Sequence, residues 1–426
     1  IVGRVREAVW EQSVEAFHKR RAFDQPLEKA LIRGLKKNRR KSFLVEYGKN
    51  GPRDWSRAYT LGLATAMARR WINHPPEEGD RIGILLPPGP MSAMINYGLF
   101  LAGKTPVNLP FTIDQRETEA VAKSIAPLGI RTVITSRAFM PHLMDFWQGD
   151  EGVFIDMKSV MTSPGAGVTL FERIRAMIEP AWLTCWRLDL NHRSLDREAV
   201  GMVRRPGEDP VMLTARQLMT NALQVTAASF ITPTENVFSE QSLSTPAGLM
   251  TGCWAPALSK GKVVVRAFSM RDSFDELERA ILEQNVAVIV GSREFYEQLR
   301  QPLSIRSLKY GILIGRANHW EIEGWEEAIE VPLARAWEAH GRVVTMSRTD
   351  PDDANLAHHS HQRGRHAKSV GLFLPGVAPR VRDGQLWVRF EPVGEEMSDG
   401  SWLPGPREAG IDESGFLFFR GRDFGE

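Results

Sequence analysis

"DRIGILLPPGPMSAMINYGLFLAGKTPVNLPFT", residues 80–112, carries the pattern that decides the fold. Ile82–Leu86 is a short apolar run of the kind needed by a strand buried on both faces. Pro87, Pro88 and Gly89 break it, a helix of small and apolar residues follows, and Thr105–Asn108 reads as a second strand. Strand, helix and strand in that order, with both strands buried, predict a parallel α/β sheet.

Working outward, the same alternation recurs. "SFLVEYG" (42–48) is a strand and "WSRAYTLGLATAMARRWI" (55–72) an amphipathic helix. A helix over Glu117–Ile125 precedes another buried strand, "IRTVITSR" (130–137). The pattern resumes with "GKVVVRAF", "SFDELERAILEQ", "VAVIVG", "REFYEQLRQ" and "LKYGILIG" between residues 261 and 315. Residues 145–205 are poorer in periodicity, and "PAWLTCWRLDLNHRS" reads as an excursion between elements. From about residue 368 short alternating strands and turns replace the long periods, as in a small β-barrel. No internal repeat is visible.

The 426 residues exceed what one small core organises and call for two or three subdomains. A net charge of +2 creates no global basic field, so nucleic acid is not an expected partner. Two distant cysteines, Cys185 and Cys253, form no disulfide framework and fit a reducing compartment, here the cytoplasm. The longest apolar stretch, "MSAMINYGLFLAG", is too short to span a bilayer, and no signal peptide opens the chain.

The first residues, Ile1-Val2, lead into a loosely helical period of Val5, Ala8, Val9, Val14 and Phe17, read as a lead-in from a preceding domain. The basic run "RGLKKNRRK" (33–41) follows a helical pattern and reads as a solvated helix end, where cations are favoured. Contact with an acidic partner or anionic headgroups is its other reading.

In this order the segments resemble the large N-terminal domain of the adenylate-forming superfamily: acyl-CoA and acyl-ACP synthetases, luciferase and peptide-synthetase adenylation domains. Residues 80–112 resemble its early strand–helix region, particularly in acyl-ACP synthetase domains fused to lysophospholipid acyltransferases. "VMLTARQLMTNALQV" (211–225) resembles the segment after the family's phosphate loop. "SVGLFLPGVAPRVRDGQLWVR" (369–389) and "GIDESGFLFFRGRDFGE" (410–426) resemble its late strands. The resemblance runs from about residue 25 to the end. It implies two parallel-sheet α/β subdomains, 25–205 and 206–340, then a β-barrel subdomain over 341–426. Residues 1–24 form the lead-in.

The resemblance also implies where nucleotide chemistry should sit, and there the sequence departs from it. A Ser/Thr/Gly-rich loop ending in Pro-Lys-Gly cradles the ATP phosphates in the family through hydroxyls and backbone N–H groups. Asp209-Pro210-Val211 runs straight into Met212-Leu213-Thr214, so the loop is expected to be deleted. The acyl-site His position is held by Thr245. The adenine-contacting motif falls on Ile314-Gly315-Arg316-Ala317, where Gly315 survives and Arg316 replaces a small residue. The adenine-stacking Tyr is Met346. Thr349 matches the phosphate-contacting Thr, and Asp350 replaces the Glu that would hold Mg²⁺. The ribose-binding Asp becomes Arg407, exchanging an acceptor-only carboxylate for a donor-only guanidinium. Arg422 matches the basic residue before the hinge, Asp423 the hinge itself, and the mobile lid domain with its catalytic Lys lies outside the chain.

Losses at the phosphate, adenine and ribose subsites each cost several kcal/mol of nucleotide recognition. The expectation is a degenerate adenylate-forming domain, a pseudoenzyme acting as a binding or scaffolding module linked to acyl-lipid metabolism. No catalytic residue, metal or cofactor is assigned. Its partner would be an acyl chain, an acyl carrier protein or a neighbouring domain of the same polypeptide. The alternative is an ATP- and Mg²⁺-dependent acyl-CoA or acyl-ACP synthetase whose phosphate site is built another way. Transfer from a pre-formed acyl adenylate is a third reading, opposed by Arg316 and Arg407.

Other signals are weaker. His358, His359, His361 and His366 crowd one stretch without a nearby Cys and read as a loop. The methionines of 91–94 and 212–219 fit core packing before an acyl tunnel. No Gly-x-Ser-x-Gly nucleophile elbow is present.

Overall fold

The structure is a computed structural model. It describes residues 2–73, 81–112, 114–125, 129–144, 153–206, 208–228, 236–259, 261–267, 269, 273–298, 306–315, 317, 319–346, 353–355, 360–362, 369–392 and 402–419. Two compact units share the chain: one comprises residues 25–219 and 239–280, the other residues 1–24, 220–238 and 281–426.

The first unit holds a six-stranded sheet in the order Val153–Asp156, Thr132–Thr135, Arg81–Leu85, Thr105–Asn108, Glu198–Met202, Val211–Thr214. The first five strands run parallel, and the sixth is antiparallel to the fifth. The apolar run read from 82–86 is the centre of this sheet, with Ile82 between Thr132 and Pro106 in register. Buried strands need cover on both faces. The helix Gln115–Ile125 supplies Val121, Ala122 and Ile125 to a cluster with Leu85, Val107, Leu109 and Val133.

A second set of strands in this unit pairs Ser42–Gly48 in parallel with Lys262–Arg266 and antiparallel with Gly51–Ser56. Behind it Arg57 is buried, its guanidinium over the Phe43 ring and donating to the carbonyls of Gly34, Pro256 and Gly261. Burial lowers its pKa to about 10, which leaves it charged at neutral pH. Three carbonyl acceptors compensate a cation that would otherwise be costly to desolvate.

The described residues of the 145–205 excursion form three helices: Met157–Thr162, Ala166–Ile178 and Ala181–Arg187. Its weak periodicity has a physical cause in the second of them, which buries Glu172 and Ala176 and leaves Val168, Leu170, Phe171, Ile174 and Ile178 exposed.

The second unit is built on the strands Leu372–Phe373, Arg342–Met346, Leu333–Ala339, Tyr310–Ile314, Val286–Ser292 and Asn236–Ser239, in that order. Val286–Ser292, Tyr310–Ile314 and Leu333–Ala339 run parallel, and the next two pairings are antiparallel. The side chain of Asn221 completes this ladder: its amide donates to Val343 O at 2.7 Å and accepts from Val343 N at 3.0 Å.

Beyond the sheet, the described residues form short antiparallel sets: Ala378–Arg382 with Gln385–Arg389 and Leu403–Pro404, and Ala409–Ile411 with Leu417–Phe419. The first helix, Val2–His18, packs Val14 with Ala378 and Trp402, and Trp10 joins that cluster. Val9, read from the period as apolar-face, is exposed. No helix among the described residues is long and apolar enough to cross a membrane.

Candidate functional site

The expected loop deletion is corrected by the strand pairing. Val211–Thr214 is one uninterrupted strand, so no loop opens between Val211 and Met212. Its antiparallel partner is Glu198–Met202, with Met202 opposite Val211 and Glu198 opposite Thr214. The two are joined by residues 203–210, "VRRPGEDP", which immediately precede the strand resembling the family's post-loop segment. A loop therefore stands where the resemblance places one, with different chemistry. It contains no Ser or Thr, its one glycine is Gly207, and two prolines lack an N–H donor.

Backbone hydrogen bonds hold the frame of this loop. Val203 N donates to Asn108 O at 3.0 Å, and Glu208 N closes a turn on Arg205 O at 3.1 Å. Asn108 in turn exchanges two amide hydrogen bonds with Asn96, at 2.9 and 3.0 Å, and both side chains are buried. After the second strand the helix Ala215–Ala228 starts at once. Thr214 Oγ1 accepts from Gln217 N, and Gln217 Oε1 accepts from Thr214 N, a reciprocal capping box. Arg204, Arg205, Glu208 and Asp209 are exposed at the tip, two cations followed by two carboxylates.

A second expected subsite lies in the other unit. Ser292, Ile314, Ala336, Met346 and Leu372 form one row across its sheet, each opposite the next. Ser292 and Ile314 end their parallel strands, the edge where open α/β sheets present ligand-binding loops. Gly315 follows Ile314 with φ at 102°, a conformation that glycine adopts without penalty. Gly315 and Met346 are thus brought to the same end of the sheet. Met346 is 3% exposed, so it packs as core. Arg316, Thr349, Asp350, Arg422 and Asp423 lie outside the described residues, as do His358, His359 and His366.

Arg407 is exposed, in the turn between Leu403–Pro404 and Ala409–Ile411. That turn lies against Asp383–Gly384, with Ala409 N donating to Gly384 O at 3.0 Å. Thr245 belongs to the first unit and caps the turn Pro246–Leu249: its hydroxyl donates to Ser242 O and accepts from Gly248 N. Both hydrogen-bonding functions of that hydroxyl are used locally.

Sequence reading missed a titratable group nearby. Glu46, on Ser42–Gly48, is half-buried, and desolvation raises its pKa against the opposing effect of Arg53. Its Oε1 lies 3.8 Å from where a Gly89 side chain would begin. The adjacent cavity, lined by residues including Pro88, Gly89, Ser239 and Gly252, measures ≈ 10 Å³. That is room for about one water molecule. Met94 and Met219 are buried, and Met212 packs against the Leu85–Val107 cluster, so these methionines serve the core. Neither thiol is set up as a nucleophile: burial raises the pKa of Cys185 and pushes that of Cys253 up to about 12. Among the described residues no group of three or more His, Cys, Asp or Glu side chains is arranged to hold a metal ion.

No protein-family model matches the sequence. Solved structures do resemble the chain. VinN superposes with a TM-score of 0.70 at 18% identity, covering 93% of this chain and 98% of VinN. A benzoate CoA ligase from Burkholderia xenovorans LB400 gives 0.70 at 15% identity, covering 93% and 80%. The inhibitor-bound N-terminal domain of FACL13 from Mycobacterium tuberculosis gives 0.68 at 15% identity, covering 93% and 100%. The chain therefore has the α/β fold of the large N-terminal domain of adenylate-forming enzymes.

Proposed function

We propose that this chain is a non-adenylating version of that fold, a cytoplasmic binding or scaffolding module attached to acyl-lipid metabolism. The 203–210 loop carries the proposal. A phosphate cradle needs hydroxyls, closely approaching N–H groups and small residues. This loop offers none of the first and loses two N–H donors to Pro206 and Pro210, while Glu208 and Asp209 face solvent where phosphate charge would accumulate. Arg407 at the ribose position and Met346 at the adenine position support the same reading. The resemblance of residues 80–112 to synthetase domains fused to lysophospholipid acyltransferases supports the acyl-lipid link. The occupant would be an acyl chain, an acyl carrier protein or a neighbouring domain of the same polypeptide.

One observation favours a second reading. Arg204 and Arg205 are exposed on the same loop, and guanidinium groups bind phosphates well. An acyl-CoA or acyl-ACP synthetase with an arginine-based phosphate site would use them with ATP and Mg²⁺. Thermal unfolding with and without ATP and Mg²⁺ separates the two. The module shows no nucleotide-dependent shift, whereas the ligase is stabilised and loses that stabilisation in Arg204→Ala/Arg205→Ala.

A further inference from the structure

The helix Ala166–Ile178 is turned inside out. Its buried side carries Glu172, at 0% exposure, and Ala176. Its outer side presents Leu170, Phe171, Ile174 and Ile178, the last 72% exposed. The next helix, Ala181–Arg187, continues the pattern: Thr184 and Cys185 are buried, while Trp182 and Trp186 are 64% and 69% exposed. Most water-facing helices of a globular unit bury the apolar stripe and expose the polar one.

The orientation is fixed by bonds. Arg187 grips Glu172 through two hydrogen bonds of 2.8 and 2.9 Å, and Arg69 adds a third at 2.8 Å. Gly62 lets the backbone approach closely, since a side chain there would meet Arg173 Cα at 2.6 Å. Rolling the helix to hide its apolar face would strand a buried carboxylate.

Cations border this face. Lys36 Nζ donates to Glu179 O, and Arg39 donates to Met177 O, tying the basic run 33–41 to the junction of the two helices. Lys36, Asn38, Arg39, Arg40, Lys41 and Met177 line an open depression of ≈ 490 Å³. Residues 33–41 and 157–187 together contain ten Lys or Arg and two carboxylates, Glu172 and Glu179. Both carboxylates are buried and bonded to Arg187. No carboxylate of these two segments therefore offsets the cations presented to solvent.

We propose that this face docks on an anionic lipid bilayer, with the apolar residues from Leu170 to Trp186 in the interface and Lys37, Arg40 and Lys41 on the headgroups. Aliphatic and aromatic side chains beside exposed cations match an interface of acyl chains below and phosphates above. The tryptophans suit the headgroup boundary. At 13 residues the helix is too short to span and lies in the plane of the surface. The inference is independent of whether the chain binds nucleotide.

Co-sedimentation of the full chain with vesicles tests it. Vesicles of phosphatidylcholine and phosphatidylglycerol in equal parts should bind the protein, phosphatidylcholine alone should bind it far less, and added salt should weaken binding. Arg40→Glu/Lys41→Glu should cut partitioning by at least about twentyfold, given about fivefold per cation. Ile178→Glu should cut it by about tenfold or more, with Trp186→Ser as a second variant of the same face, and all should unfold at the wild-type temperature. Absence of binding to anionic vesicles overturns the proposal, as does binding indifferent to these substitutions. Concentration-dependent dimerisation without lipid, abolished by Ile178→Glu and accompanied by no vesicle binding, would assign the face to a protein interface instead.

Discussion

The hairpin Glu198–Met202/Val211–Thr214 and the loop at its tip answer to different constraints. Apart from the exposed Glu198, both strands are buried or half-buried in the six-stranded sheet, the following helix is capped by Thr214 and Gln217, and Asn96 and Asn108 satisfy one another behind. Each of those groups has a partner it would leave unsatisfied. At the tip, Arg205, Glu208 and Asp209 face solvent. The frame is a matter of packing and backbone bonding, whereas the loop presents a few exposed residues whose replacement would cost the fold little.

This contrast sets an order of expected effects. The largest falls on the frame at Gly248, where a methyl group would stand 2.0 Å from Ser242 O. Gly248→Ala should cost about 3 kcal/mol in denaturant unfolding, because backbone must move to admit it. Asn96→Ala leaves the buried Asn108 amide without its partner and should cost about 2 kcal/mol. Adding Asn108→Ala should cost less than a second such step, a coupling a double-mutant cycle would detect. Thr214→Ala removes the helix cap and should cost about 1 kcal/mol. On the loop, Arg205→Ala/Glu208→Ala should stay within about 0.5 kcal/mol of wild type. A loop effect as large as the frame effects would break the comparison.

Much of the frame was legible. The strand read at Ile82–Leu86 is Arg81–Leu85, and that read at Thr105–Asn108 has those bounds. Continuous apolar runs between Pro and Gly punctuation are local signals. The helix Ala166–Ile178 was not legible, because its buried side is a carboxylate held by Arg69 and Arg187 from outside the helix and its apolar side faces out. The loop was misplaced for a related reason. Asp209-Pro210 looks like the start of a strand, but the strand that pairs with Val211–Thr214 ends at Met202, upstream of the loop. Pairing is a non-local fact, and only it shows that 203–210 is the tip of a hairpin. The capping box Thr214-Ala215-Arg216-Gln217 was written in the sequence and marks where the helix begins. Of the candidate nucleotide positions, the row across the second sheet gathers Gly315 and Met346, a juxtaposition that spacing alone does not give. Thr245 has a structural task that its residue type permits and its neighbours Ser242 and Gly248 reveal.

The central proposal is that the 203–210 loop does not hold phosphate. Isothermal titration of ATP with Mg²⁺ into the wild-type chain tests it most directly. No saturable heat up to millimolar nucleotide is the expected result. A saturable one-to-one isotherm that disappears in Arg204→Ala/Arg205→Ala would contradict the claim and establish an arginine-based phosphate site in its place.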